Sequence, residues 1–504
     1  MTSPLRPTTR PVDLTAVASL LTAQPAASGR VVVSGVTLDS RAVLPGDLYA
    51  ALPGHVTHGA RFADAAVTAG AVAILTDPTG LAEVSGLGVP VLVSAAPRGR
   101  LGEVAALVYG RPGDRLQLLG VTGTNGKTTV AAMVESGLVA AGRATGMIGT
   151  IGVRIGGDVH TGARTTPEAT ELHAILAVML ERSVDTVVME VSSIALDEHR
   201  VDGVLYDVAG FTNLTQDHLD YHGTMADYFA AKARLFEPEH ARLGVIGVDD
   251  EWGRQLAQQA GIPVDTWSLA DQHATWSVRR SAAGVVVVGP DGDEQALIVP
   301  MPGAFNVANA VCAYAILRRA GIDGSHAAQG ISEVTVPGRM QVVTGARGVT
   351  GVVDYAHSPD AIERVVRAAR ESASGRVIVV LGAGGDRDRG KRPVMGLTAA
   401  RLADVIVITD DNPRSEDPAV IRAAVHEGAL SAAPATRAEI HEVADRRAAI
   451  TVAVGFAEAG DVVLVLGKGH EQGQDAGGVV TPFDDVTELR RALQVDEGPT
   501  GTFE

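Results

Sequence analysis

The stretch from Leu116 to Glu135 restricts the fold of this 504-residue chain more than any other. Leu116–Val121 is an apolar run of the kind that forms a buried parallel strand. Gly123 and Gly126 then break the chain, and from Lys127 apolar residues recur at helical spacing. A strand, a glycine turn and a helix in that order turn backbone N–H groups and the positive end of a helix toward an anion. Lysine adds charge, and a hydroxyl is available for Mg²⁺. Gly123, Thr124, Asn125, Gly126, Lys127, Thr128 and Thr129 therefore form a candidate ATP-type phosphate loop. The strict pattern Gly-x-x-x-x-Gly-Lys-Ser/Thr wants glycine at 121, whereas this chain has Val121 and a glycine one place earlier, Gly120. A plain tight turn would require neither Lys127 nor Thr128.

Either side of this loop, short apolar runs alternate with helical stretches, so the class is α/β. Residues 1–30 read as a loose end plus one helix. Arg6 and Arg10 ahead of Leu14–Ala23 imitate a signal peptide, but Thr15, Ser19 and Thr22 interrupt the run and Asp13 is placed to cap a helix. Punctuation at Tyr109–Gly113 and Val336–Arg339 divides the chain into 1–112, 113–339 and 340–504. The central section has candidate strands at Leu116–Val121, Thr186–Val191, Asp207–Phe211 and Leu243–Val248. The last section has them at Gly351–Asp354, Arg376–Leu381, Asp404–Thr409 and Asp461–Leu466. Nearly every one of these strands runs into polar residues at its C-terminal end, where wound parallel sheets bind ligands.

Lysine plus arginine number 42 against 59 aspartates and glutamates, a net charge of −17. This balance argues against nonspecific binding to nucleic acid or an anionic membrane, so any phosphate site is local. The single Cys312 leaves no internal disulfide or cysteine metal cage and sits in an alanine-rich helical pattern suited to a core role. No apolar run reaches the roughly 18 residues of a membrane span. With a nucleotide-type loop, these features place the chain in the cytoplasm; a monomer is expected, though no sequence feature sets the oligomeric state.

No Gly-x-Ser-x-Gly elbow or other covalent nucleophile is evident, and phosphoryl transfer needs positioning and charge neutralisation instead. Lys127 is suited to the β- and γ-phosphates and Thr128 to Mg²⁺. Glu190, at the end of its strand, can hold a metal directly or through water. His218 alone reads as a structural histidine; beside Glu190 and the loop it reads as a further metal ligand. Lys232, at an expected helix start, has the pattern of an ordinary surface lysine. Arg387 and Arg414, near Asn412 at strand ends, fit a bidentate grip on a carboxylate and fit equally a surface ion-pair network.

Taken together, these clusters resemble the Mur ligases, the ATP-dependent amide-forming enzymes of peptidoglycan precursor synthesis, over nearly the whole chain. The resemblance rests on Thr122–Thr129, Met189–Ser193, Asn213–His222, Gly303–Asn309, Gly338-Arg339-Met340 and Asp354–His357. It is strongest toward the members that extend UDP-N-acetylmuramoyl-L-alanyl-D-glutamate. Asp411-Asn412-Pro413-Arg414 is similar to the signature of those adding meso-diaminopimelate rather than lysine. The family implies an N-terminal uridine-nucleotide module, a central ATPase sheet of P-loop type and a C-terminal Rossmann-like module. It implies uridine contacts at Leu38, Ser40 and His55, and muramoyl-dipeptide contacts at Thr165, Thr166, Ser192 and Arg200. ATP would meet Asn306, Asn309, Arg339 and Asp354 besides the loop. Diaminopimelate would meet Arg387, Asp411, Asn412, Pro413, Arg414, Gly467 and Glu471. Lys232 matches a lysine carried as a carbamate, so Mg²⁺ would meet Thr128, Glu190, His218 and that carbamate, with Lys127, Glu190, His218 and Lys232 as the catalytic set.

The implied reaction forms an acyl phosphate on the D-glutamate γ-carboxylate, which an amine of diaminopimelate then displaces. The chain departs from the family pattern at Ile194, where many relatives have histidine, and at Glu198, where some have glutamine. Alternatives are a lysine-adding or folate-type glutamate ligase of the same group, or a catalytically silent nucleotide-binding partner.

Overall fold

The computed structural model describes residues 5–22, 30–54, 56–160, 162, 164–281, 284–345 and 347–494. They form two compact units. The first comprises Met1–Leu214, Thr224–Leu297 and Val311–Ile331; the second comprises Thr215–Gly223, Ile298–Ala310 and Ser332–Glu504.

The first unit contains two parallel-rich sheets. The smaller has four strands, β1 (Gly35–Thr37), β2 (Asp47–Ala51), β3 (Ala73–Thr76) and β4 (Val91–Val93), all parallel and in sequence order. Leu14–Leu20 is the expected N-terminal helix, and the Asp13 carboxylate accepts the Thr15 N–H at 3.0 Å as its cap. The described part of the N-terminal stretch is tethered rather than loose. Arg6 donates to Asp47 at 2.8 Å, to the Tyr109 hydroxyl at 3.1 Å and to the Ala42 carbonyl at 3.0 Å.

The larger sheet is built from β5 (Gln117–Thr122), β6 (Thr145–Gly149), β7 (Gly152–Ile155), β8 (Asp158–His160), β9 (Thr186–Glu190), β10 (Val208–Phe211), β11 (Gly244–Gly247) and β12 (Val264–Trp267). Its spatial order is β8-β7-β6-β9-β5-β10-β11-β12. Strands β6 to β12 in that row are parallel, and the β7–β8 hairpin extends one edge antiparallel. The expected strands match to within a residue or two. The chain reaches β9 on one side of β5 and then β10 on the other, so the loop leaving β5 lies at a topological switch point. Leu118, Val187, Met189, Phe211 and Tyr206 are fully buried in the core beneath it. Cys312 is buried too, as its alanine-rich surroundings imply. An antiparallel meander of Ser277–Ser281, Gly284–Val288 and Glu294–Leu297 completes the unit; it was not among the strands expected from sequence, although Val285–Val288 is an apolar, β-branched run.

The second unit is a six-stranded sheet of β13 (Gln341–Thr344), β14 (Thr350–Asp354), β15 (Val377–Leu381), β16 (Val405–Ile408), β17 (Glu439–Glu442) and β18 (Val462–Leu466). The order is β13-β14-β18-β15-β16-β17, parallel except for the edge strand β13. Four strands expected from sequence are its centre. Their near-continuous Val/Ile/Leu composition is what burial on both faces demands. A small hairpin, Gly473–Ala476 with Val479–Pro482, follows β18. Among the described residues no helix is long and apolar enough to cross a membrane.

Candidate active site

In the first unit, β5 feeds the glycine loop and α1 (Lys127–Ala140) begins at its lysine. Gly123 has φ +142°, and a Cβ there would meet the Thr212 hydroxyl at 1.9 Å, so only glycine lets the loop lie against the end of β10. The loop is held by that strand end. Thr124 N–H donates to the Asn213 carbonyl at 2.9 Å, Asn125 N–H to Asn213 Oδ1 at 3.2 Å, and the Thr212 hydroxyl to the Asn125 carbonyl at 2.6 Å. Lys127 Nζ folds back onto the Gly123 and Thr124 carbonyls at 2.9 and 3.0 Å. Thr129 follows Thr128 in the first turn of α1, and both are buried.

Glu190, the last residue of β9, is fully buried. Its carboxylate accepts the Thr128 hydroxyl at 2.9 Å, the Thr150 N–H at 2.8 Å and the Thr150 hydroxyl at 3.1 Å. The Thr150 hydroxyl lies 3.0 Å from that of Thr165, and Thr166 donates to the Glu190 carbonyl at 2.9 Å while accepting the Ser192 N–H at 3.1 Å. Parallel pairing of β6, β9 and β5 lines up these strand ends. Beside them Arg200 is held by Glu168 at 3.1 Å and by Glu198 at 3.0 Å. Glu198 thus neutralises the arginine next to the expected dipeptide residues.

Lys232 lies in the last turn of α2 (Met225–Ala233), not at a helix start, and its side chain is buried, not on the surface. Its Nζ donates to the Gly123 carbonyl at 2.9 Å and sits 4.7 Å from the Tyr228 ring centroid. The Tyr228 hydroxyl in turn is 3.1 Å from that of Thr124. Helical periodicity gives Lys232 a partner face but not the loop that it meets. Leu38 and Ser40 are half-buried near β1, Ser40 opening a short 3₁₀ turn capped by Asp39. His55 lies outside the described residues.

The second unit holds the other candidates. Asn306 and Asn309 are buried on one face of Ala304–Arg319, linked at 3.2 Å, with Asn306 also donating to the Pro302 carbonyl at 2.8 Å. At the end of β14 the buried Asp354 accepts the Met340 and Ala356 N–H groups at 2.7 and 2.8 Å. Burial pushes its carboxyl above the ordinary range despite the pull of Arg339. Arg339 stacks on the Tyr355 ring at 4.5 Å. His218 is exposed, 3.6 Å from Asp217. Burial pushes the Asp217 carboxyl up, but His218, His357 and Lys391 together hold it below its usual value.

At the ends of β15, β16 and β18 a polar rim forms. Gly467 has φ +115°, and a Cβ there would meet Asp411 Oδ2 at 2.5 Å. Asn412 Nδ2 donates to Glu471 Oε2 at 2.7 Å, and the half-buried Arg414 donates to the Gly385 carbonyl at 2.6 Å. Pro413 separates these two side chains on the turn. Arg387 is exposed; a Cβ on Gly384 would meet Arg414 Nη1 at 3.0 Å and Arg387 Cγ at 3.8 Å, so both arginines converge on that glycine.

Family models match most of the chain: "Mur ligase family, catalytic domain" at 32–120, "Mur ligase middle domain" at 121–317 and "Mur ligase, glutamate ligase domain" at 338–469. The chain belongs to the Mur ligase family. It is 51% identical over 474 residues to the UDP-N-acetylmuramoyl-L-alanyl-D-glutamate--2,6-diaminopimelate ligase of Streptomyces avermitilis, covering 92% of this chain and 93% of that one. The protein of the same name from Corynebacterium glutamicum is 46% identical over 481 residues, covering 93% of each. A solved structure of a ligase of that name superposes with a TM-score of 0.68 at 32% identity, covering 96% of this chain and 99% of that chain. A Mycobacterium tuberculosis folylpolyglutamate synthase complexed with ADP shares the fold, with a TM-score of 0.61 at 20% identity over 80% of this chain and 96% of its own.

In this Mur ligase the sequence reading passed over three residues that share the site contacts. Thr150 follows the five-residue β6, whose only signal was a polar residue after a parallel strand. Gly384 stood in view within Gly382–Gly385 but had no partner until the strands were ordered. Lys468 lies between two of the expected site residues, Gly467 and Glu471, and is fully buried; a lysine between two glycines gives no sign of burial. Among the described residues no group of three or more histidine, cysteine or acidic side chains is arranged to hold a metal ion.

Proposed function

We propose that this Mur ligase uses ATP to join meso-diaminopimelate to the D-glutamate of UDP-N-acetylmuramoyl-L-alanyl-D-glutamate, in the cytoplasm and as a monomer. The observation that carries the reading is the buried contact between Glu190 and Thr128 at the head of the glycine-loop helix, 2.9 Å long, with Lys127 on the same loop. The identity to ligases of that name, over more than nine-tenths of the chain, supports the choice of substrates.

The donor chemistry fits Mg²⁺: a carboxylate and a hydroxyl, both hard oxygen ligands, already lie together behind the loop. Thr128, Glu190 and Lys232, the last as a carbamate, would hold it. Bound there, Mg²⁺ neutralises phosphate oxygens as charge develops. The loop N–H groups from Gly123 to Thr129 and the Lys127 ammonium hold the triphosphate, with Asn306, Asn309, Arg339 and Asp354 at the nucleoside. Thr165, Thr166, Ser192 and Arg200 hold the muramoyl-dipeptide; Leu38, Ser40 and His55 hold its uridine end. The D-glutamate γ-carboxylate attacks the γ-phosphorus, ADP leaves, and an acyl phosphate results. The diaminopimelate amine then adds to the acyl carbon and phosphate departs. Arg387, Asp411, Asn412, Pro413, Arg414, Gly467 and Glu471 orient that amino acid, Arg414 taking a carboxylate that lysine lacks. Residues 1–112, 113–339 and 340–504 would be the modules for uridine nucleotide, ATP and amino acid.

An amino-acid panel tests the reading. Phosphate release in the presence of ATP, Mg²⁺ and the UDP-dipeptide is expected with meso-diaminopimelate and not with L-lysine or L-glutamate. Equal or greater rates with lysine, or release without the UDP-dipeptide, would refute it.

A further inference from the structure

Lys468, just past the end of β18, has a fully buried side chain. Its Nζ donates to Asn412 Oδ1 at 2.8 Å and lies 3.4 Å from Glu471 Oε2 and 3.5 Å from Asp411 Oδ1. Asn412 Oδ1 also accepts the Asp475 N–H at 3.0 Å. Two donors on one amide atom settle which end of the Asn412 amide is oxygen, because the flipped amide would face an ammonium and an N–H with its own NH₂. Nδ2 must therefore point to Glu471 Oε2. That oxygen then has both Asn412 and Lys468 as partners, while Oε1 makes no hydrogen bond among the described residues, and about a third of the Glu471 side chain faces solvent. The same Asp475 carbonyl accepts the Arg414 N–H at 3.0 Å, so one network runs from Lys468 through Asn412 to the backbone of Arg414.

We propose that Lys468 is a positioning residue for the amino-acid substrate: its ammonium fixes the Asn412 amide and the Glu471 carboxylate so that Glu471 Oε1 is presented to a substrate ammonium. This rests on the assignment of the β15–β16–β18 rim as the amino-acid site. Lysine suits the place because a compact ammonium can sit among three oxygens in an enclosed slot, where a planar guanidinium would be oversized. Without it, Asp411 and Glu471 lose their shared cation, and Glu471 is drawn outward to water.

The test is steady-state kinetics of full-length Lys468→Met and Lys468→Gln with ATP, the UDP-dipeptide and meso-diaminopimelate each varied in turn. The expected result is a diaminopimelate KM raised about 10- to 100-fold in Lys468→Met, the loss of one ion-assisted hydrogen bond. The rise should be smaller in Lys468→Gln, whose amide can still donate to Asn412. KM for ATP and for the UDP-dipeptide should stay within about twofold. An unchanged diaminopimelate KM, or a rise in all three constants together, would overturn the proposal, the second showing a role in folding alone. If Lys468→Met does not fold, Lys468→Gln decides by the same criteria. Should the wild type couple a different amine, the diaminopimelate reading fails, and the KM for that amine still judges Lys468.

Discussion

Replacing Glu190 by glutamine separates chemistry from stability. The carboxylate is fully buried and accepts three hydrogen bonds, of 2.9, 2.8 and 3.1 Å. Glutamine has the same shape. Its Oε1 can keep the Thr150 N–H, and its NH₂ can donate to the Thr128 hydroxyl, which then acts as acceptor. Turning three ion-assisted bonds into neutral ones costs about 2–3 kcal/mol, and relief from burying a charge offsets much of this. The net change is then within about 1–2 kcal/mol, or a Tm shift of at most about 3 °C for a unit of this size. The lost negative charge beside the phosphate loop is a different matter. If it holds Mg²⁺ on the reacting phosphate, about 4 kcal/mol or more of transition-state stabilisation goes with it, and kcat falls about 1000-fold. Phosphate release at saturating substrates, paired with thermal unfolding, reads both quantities. A Glu190→Gln enzyme retaining more than a tenth of wild-type kcat would refute the assignment.

Lys232→Ala should be nearly inactive and regain part of its activity with added short-chain carboxylates, checked by the same assay and by mass spectrometry for a carbamate in the wild type; a plain, dispensable lysine would refute this. Arg414→Ala should lower the preference for meso-diaminopimelate over L-lysine by about 10- to 100-fold in kcat/KM, since the guanidinium is half-buried and its ion pair is worth about 1–3 kcal/mol; an unchanged ratio would refute it. Burial lowers His173 and His357 from 6.5 to about 4. The unfolded chain therefore binds protons that the folded one does not between those values, and stability present above pH 6.5 is lost as pH falls toward 4, by up to about 1.4 kcal/mol per pH unit per histidine. Urea unfolding at pH 7 and pH 5 should show the loss, and His173→Gln should reduce it; an equal loss in the variant would count against buried neutral His173.

The parts of the fold legible in the sequence were those where one local pattern sufficed. The apolar runs of β5, β9, β15, β16 and β18 are strands because two-sided burial leaves no polar position. Gly123, Gly126 and Lys127 marked the loop because glycine geometry and a cation must be adjacent in sequence to serve one anion. Contacts set by strand order were not legible. Thr150 meets Glu190 only because β6 pairs with β9, and Lys232 meets Gly123 only because α2 packs its last turn toward β5. Likewise Lys468 is buried because Asp411 and Glu471, 60 positions apart in the chain, close over it. The His218 motif was visible, but a histidine beside an aspartate does not by itself state what it will ligate.

The central claim is that a carboxylate is activated as an acyl phosphate beside Lys127. The most direct measurement uses UDP-dipeptide carrying ¹⁸O in the D-glutamate γ-carboxylate, incubated with ATP, Mg²⁺ and meso-diaminopimelate. One labelled oxygen is expected in the released phosphate for each amide formed. Phosphate free of label, alongside amide product, would contradict the account.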